Sequence, residues 1–184
     1  IIRDGSGKAT GVFIDAAQGF VESEIPAPTE KEQKLALEKA YDQMAKMGIT
    51  SVHDAGVGVK AWELYKEFAD QGKAKTRIYG MISGSGGTFD ELSKNGPIKS
   101  YANDMLALRS VKLYSDGALG SRGAAMLQPY SDDPGNVGLL FMEQEEMDAS
   151  VSKVVGKGFQ ANIHAIGDAG MLLKKLKMNM EIKG

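Results

Sequence analysis

The chain has 184 residues, 42% of them hydrophobic and 25% charged, which is ordinary globular usage and argues against intrinsic disorder. Its 22 basic and 24 acidic residues leave a formal net charge of −2, so the basic footprint of a nucleic-acid binder is missing and nucleic acid is not expected as a partner. Cysteine is absent, which excludes disulfides, thiol nucleophiles and Cys-ligated zinc, and no apolar run approaches the ~18 residues of a membrane span, so no membrane partner is expected either.

The first twenty residues predict a strand or hairpin, with turn chemistry at Asp4-Gly5 and Gly7 between short apolar runs, closed by Pro26 and Pro28. The chain opens Ile1-Ile2-Arg3 without Met, which suggests an internal or processed start. Thr29 with Glu32 three residues on is a capping box, and Leu37, Ala40, Tyr41 and Met44 give the following helix one apolar face up to the cap glycine Gly48. A β-branched strand follows at Ile49–Val52, expected to end at His53-Asp54-Ala55-Gly56. Ala61, Leu64, Tyr65 and Phe68 mark a second helix closed by Gly72. Arg77–Ile82 reads as a strand leading into Ser83-Gly84-Ser85-Gly86-Gly87.

Phe89–Leu108 shows weaker helical spacing interrupted by Asn95-Gly96-Pro97, and Ser110–Tyr114 is the next strand. No clear period runs from Ser115 to about Leu140, so a long loop is expected there. Met147, Val151 and Val154 form another helical face ending near Gly158. Phe159–Ile163 is a strand closing on His164, and a last helix begins at Ala169 and runs towards Met180. The tail from Lys174 to Gly184, rich in Lys and Met, suggests a frayed last helix or an unnatural end. Repeated helix–glycine–strand–loop order implies right-handed crossovers and a parallel sheet, either a (β/α) barrel or an open doubly wound sheet. Both architectures gather chemistry at the C-terminal ends of strands.

Four groups fall at such ends: His53, Ser83–Gly87, Lys112–Asp116 and His164–Asp168. An imidazole there can ligate a metal, or simply hydrogen-bond to backbone; the chain's two histidines cannot complete a hydrolytic metal site without carboxylates. Lys112 lies in the apolar run Val111-Lys112-Leu113, where a buried amine of lowered pKa could form a Schiff base, a metal-bridging carbamate or a salt bridge. Alternation along an edge strand would instead leave it in solvent. The Ser83–Gly87 loop could cradle a phosphate but lacks the Lys-Ser/Thr of a P-loop, and a flexible turn explains it as well. Arg122, in Gly120-Ser121-Arg122-Gly123, could grip a carboxylate or lie exposed.

One ordered set of motifs goes further. Gly48-Ile49-Thr50-Ser51-Val52-His53-Asp54-Ala55-Gly56, Val111-Lys112-Leu113-Tyr114-Ser115-Asp116-Gly117-Ala118-Leu119-Gly120-Ser121-Arg122, Pro129-Tyr130-Ser131-Asp132, Gly138-Leu139-Leu140 and Asn162-Ile163-His164-Ala165-Ile166-Gly167-Asp168 occur in that order. Together they resemble the metal-dependent amidohydrolase superfamily, in particular the amidohydrolase-3 branch that includes N-substituted formamide deformylases.

The resemblance implies one domain over residues 1–184 with part of a (β/α)₈ TIM-type barrel, roughly strands two to five. It also implies a divalent metal, zinc in the first instance, and hydrolysis of amide- or formamide-type C–N bonds in a small molecule. Carried over by position, Lys112 matches the carboxylated lysine and His164 the fifth-strand histidine, both catalytic and metal-ligating. Asp116, Arg122 and His53 are then candidates to touch substrate, and Asp54 and Asp168 to support the site. No His-x-His is present, and neither a sixth-strand His nor an eighth-strand Asp follows. The expectation is therefore an internal fragment, inactive or nearly so alone, whose open edges are covered by homo-oligomerisation. A non-catalytic assembly or binding remnant and a Schiff-base lysine barrel are the competing readings.

Overall fold

The computed structural model describes residues 1–172. It is an α/β protein whose residues group into two compact units.

The larger unit, Pro28–Leu113 with Asp148–Ile163, is built on a sheet. Its strands are β1 (Ser51–Val57), β2 (Arg77–Ser83), β3 (Ile98–Tyr101), β4 (Leu106–Tyr114) and β5 (Gln160–His164), in the order β1-β2-β4-β3, with β5 also on β4. The pairs β1–β2 and β2–β4 are parallel, as strand–helix alternation requires; β3 runs antiparallel to β4. The connecting helices are α2 (Glu30–Lys46), α3 (Val59–Asp70), α4 (Gly87–Leu92) and α5 (Gln144–Gly156).

The helix ends form for the reasons the sequence supplies. Thr29 and Glu32 make the reciprocal capping box at the start of α2. At its end Gly48 takes φ +71° while its N–H donates to Ala45 O and that of Ile49 to Met44 O, a Schellman closure that glycine adopts without strain. Gly72 closes α3 in the same way.

Register sorts the sheet into two faces. Val57, Ile78, Ile82, Leu106, Leu108 and Val111 share one face and are each no more than 4% exposed. The core of this unit also includes Trp62 and Phe68 of α3, and Phe89, whose ring meets Phe159 edge-on at 5.3 Å. The opposite face carries His53, Ala55, Tyr79, Met81, Ser83, Ser110 and Lys112. That face is mostly polar and, apart from buried Ser110, open or half-open.

Three expectations need correction. Residues 98–101 and 106–108 are strand, not helix: between them Ala102, Asn103 and Asp104 all take positive φ and turn β3 back onto β4. Strand β1 continues through His53 to Val57, with Gly56 absorbed as a register shift instead of ending it. The N-terminal hairpin is real, with an Arg3–Ala9 bridge, but Asp15–Gln18 is 3₁₀-helix and Gly19–Glu22 a short helix, α1.

The second unit gathers Ile1–Ala27, Tyr114–Met147 and the chain from His164 on. Its 115–140 stretch is irregular, as predicted, and is held by hydrogen bonds in place of strands. The last helix is described as α6, Asp168–Leu172; its predicted continuation and the Lys/Met tail lie outside the described residues.

Candidate functional site

Strand β4 carries Lys112 near its C-terminal end, half-buried and in register with Ser83 on the polar sheet face. His53 lies in the body of β1 on that face, its ring stacked on Tyr79 at 4.8 Å and 27°. Tyr79 is flanked in turn by the Arg109 guanidinium, 5.5 Å from its ring centroid, and its hydroxyl donates to Gln160 Oε1 at 3.4 Å. Asp54 is taken up structurally, accepting the Tyr65 hydroxyl at 2.6 Å. Burial and that carboxylate push the Tyr65 hydroxyl well above its ordinary pKa, so it remains a donor.

The second unit has its own polar centre at Asp116. This side chain is fully buried, and its two oxygens accept backbone N–H groups from two distant segments. Oδ2 takes Gly167 N–H at 2.7 Å and Ala125 N–H at 3.0 Å, and Oδ1 takes Ile166 N–H at 3.0 Å. The family resemblance puts Asp116 in the loop over the site as a candidate to touch substrate. Enclosed and fully engaged, it instead ties residues 124–126 to residues 165–167.

His164 ends β5 beside it. Its carbonyl accepts the Ser115 N–H at 2.9 Å and hydroxyl at 2.6 Å, while its ring packs against Tyr114 at 5.4 Å. Arg122, at φ +56°, forms an exposed two-point pair with Asp132, Nη2–Oδ2 2.8 Å and Nε–Oδ1 3.3 Å. Asp168 opens α6, and its Oδ1 accepts Leu127 N–H at 2.7 Å and Ala169 N–H at 2.9 Å. Sequence patterning does not single out Ser115, Tyr114 and Gly167 as site residues; their signal is adjacency to Lys112 and His164 within the ordered motifs.

Burial pushes the Asp116 carboxyl up, but the N–H groups of Gly167, Ile166 and Ala125 and the neighbouring His164 outweigh it and hold it below the usual aspartate value. A carboxyl that titrates lower folded than unfolded adds stability that is fully present above its unfolded pKa, about 3.9, and is lost as pH falls through the folded value. The thermal midpoint is therefore expected to drop on acidification below about pH 4, with a shallower drop in Asp116→Asn. Parallel curves for the two proteins would refute this assignment.

The family model described as the amidohydrolase family matches residues 1–179. The chain belongs to the amidohydrolase family. Protein LONG AFTER FAR-RED 3 of Arabidopsis thaliana is 31% identical over 180 residues, covering 91% of this chain and 30% of its own length. YtcJ of Bacillus subtilis (strain 168), an amidohydrolase by name, is 29% identical over 178 residues, covering 91% of this chain and 32% of its own. A crystal structure of a metal-dependent hydrolase from Pyrococcus horikoshii OT3 superposes with TM-score 0.73 at 28% identity, over 85% of this chain and 32% of that one. This amidohydrolase chain thus spans about a third of the length of the curated relatives it matches. Its strand–helix order and parallel sheet fit the partial-barrel class expected from the sequence.

A metal is the group this family implies. Among the described residues no three His, Asp or Glu side chains converge as a cation site. Asp116, the buried carboxylate nearest an imidazole, has its oxygens filled by backbone N–H groups. Catalytic zinc usually takes three protein ligands, so the described residues do not by themselves fit it.

Proposed function

We propose that this chain is one portion of a metal-dependent hydrolase acting on non-peptide C–N bonds, of amide or formamide type as in formamide deformylases. In this reading Lys112, as a carbamate formed with carbon dioxide, and His164 are its two contributions to a divalent-metal site, zinc first among candidates. His53 and Arg122 are its contributions to substrate binding, with Asp54 and Asp168 as supports. The other ligands and the general base come from elsewhere in the longer enzyme.

The observation that carries the reading is the place of Lys112. It lies on the polar face of a parallel strand, at the C-terminal end where α/β enzymes collect their chemistry, within a chain matched almost throughout by the amidohydrolase family. Fold alone does not settle a substrate, so the bond type is tested directly. The purified chain, supplied with zinc and bicarbonate, is expected to release no product from N-substituted formamides or simple amides above the level of Lys112→Ala. Turnover that Lys112→Ala abolishes would overturn the inactivity. Carbon-13 bicarbonate is expected to give a carbamate resonance that Lys112→Ala lacks, and a spectrum without one removes Lys112 from the ligand set.

Self-association belongs to the same proposal. Phe20 is 71% exposed, Met47 66% and Ile25 62%, and a second copy of the chain would cover apolar side chains such as these. Light scattering is expected to give a dimer or larger species, and a monodisperse monomer would contradict that expectation.

A further inference from the structure

The polar face of the sheet is basic, and the acids are kept off it. Strands β2, β4 and β5 contain no Asp or Glu, and the one in β1, Asp54, is turned to α3, where it accepts the Tyr65 hydroxyl. Alternation and register put His53, Arg77, Arg109 and Lys112 on the polar face. Composition does not explain the bias, since the chain holds 24 acidic residues against 22 basic.

Arg109 is the cation of this set that is held by a ring. Register passes from Gly80↔Leu108 to Met81↔Ser110, which leaves Arg109 as the extra residue of a bulge, a device that re-aims a side chain. Its guanidinium lies over Tyr79, 5.5 Å from the ring centroid. Tyr79 is fixed in turn by the His53 ring stacked on it at 4.8 Å and by Gln160, which accepts its hydroxyl. Contact with a ring face engages the charge of Arg109, and among the described residues no oxygen accepts its N–H groups. A planar fork of donors that is already ordered suits a carboxylate, which it can grip at two points. Ala55 and Met81 pair at the next level of the same face, and Lys112 lies beyond them, about 10 Å along the strand from Arg109.

We infer that Arg109, on its Tyr79 platform, is a carboxylate-binding site for a ligand whose apolar body lies over Ala55 and Met81. In the hydrolase proposed above, it selects substrates that carry a carboxylate about 10 Å from the bond cleaved. That use rests on the hydrolase reading; the site itself does not.

Hexanoate titrated into the full chain, with hexanamide as its uncharged counterpart, tests the site. The Tyr79 and His53 ring signals are expected to shift saturably with hexanoate and not with hexanamide, a comparison that needs no variant to fold. Arg109→Gln, a change at an exposed side chain, should weaken hexanoate binding about tenfold or more, the amide spectrum away from these strands staying as it was. Lys112→Ala should keep hexanoate binding within about threefold. No saturable shift, equal binding of hexanamide, or unchanged affinity in Arg109→Gln would overturn the inference. Loss of binding in Lys112→Ala would overturn it too, by moving the carboxylate to the strand end. A chain that forms no carbamate at Lys112 and still binds hexanoate through Arg109 would remove the hydrolase reading and keep the site, so the two fail separately.

Discussion

Asp116→Asn is expected to lower the unfolding free energy by about 3 kcal/mol or more, because hydrogen bonds to a charged group contribute about 1.5–3 kcal/mol each and a buried group left unpaired adds to the loss. The carboxylate accepts three backbone N–H groups, and it is fully enclosed. An amide keeps one acceptor oxygen and turns an NH₂ against at least one N–H, so donor faces donor in a buried place. Denaturant unfolding gives the magnitude. Hydrogen exchange gives the location: Ala125, Ile166 and Gly167 should lose protection first. A change under about 1 kcal/mol, or loss of protection elsewhere, would mean that Asp116 does not hold these loops.

Gly167→Ala should be comparably severe for a steric reason. A Cβ at Gly167 would stand 1.8 Å from the Ala125 carbonyl oxygen and 2.4 Å from its carbon. The obstacle is backbone, and it is pinned: Ala125 N–H donates to Asp116 at 3.0 Å, and Ala125 O accepts Ala169 N–H at 3.1 Å. Overpacking usually costs about 1–3 kcal/mol, and an obstacle that cannot rotate aside places this one at or above the upper end. Gly120→Ala is the control, since nothing lies within 4 Å of its would-be Cβ. It should stay within about 0.5 kcal/mol of the unsubstituted protein. Equal behaviour of the two substitutions in thermal unfolding would contradict the packing described.

Much of the fold is local chemistry and was legible for that reason. The capping box at Thr29 and the closing glycines Gly48 and Gly72 act within a few residues of themselves, so sequence spacing suffices to find them. The apolar face of α5 at Met147, Val151 and Val154 is likewise a property of one helix. The misses share a different cause. Gly56 reads as a strand terminator, but the register shift beside it lets β1 run on, which moves His53 from a strand end to its interior. The β3–β4 reversal is made by Ala102, Asn103 and Asp104 at positive φ without any glycine, and the residues around it satisfy a helical spacing equally well.

The site divides along the same line. Lys112 at the end of β4 and His164 at the end of β5 were legible from strand patterning and motif order. The role of Asp116 was not, because its partners at Ala125, Ile166 and Gly167 lie 9 to 51 residues away and are backbone groups that no side-chain pattern announces. Arg122 shows the reverse case: its partner Asp132 is a side chain only ten residues on, inside the same ordered set of motifs, and the two form an exposed pair.

Zinc titration followed through the two imidazole spin systems in bicarbonate buffer tests the central claim most directly. If Lys112 and His164 are donors to one metal, His164 shifts or broadens before His53 does, and Lys112→Ala weakens that response. A titration in which His53 responds first, or in which Lys112→Ala leaves the His164 response unchanged, would contradict the account.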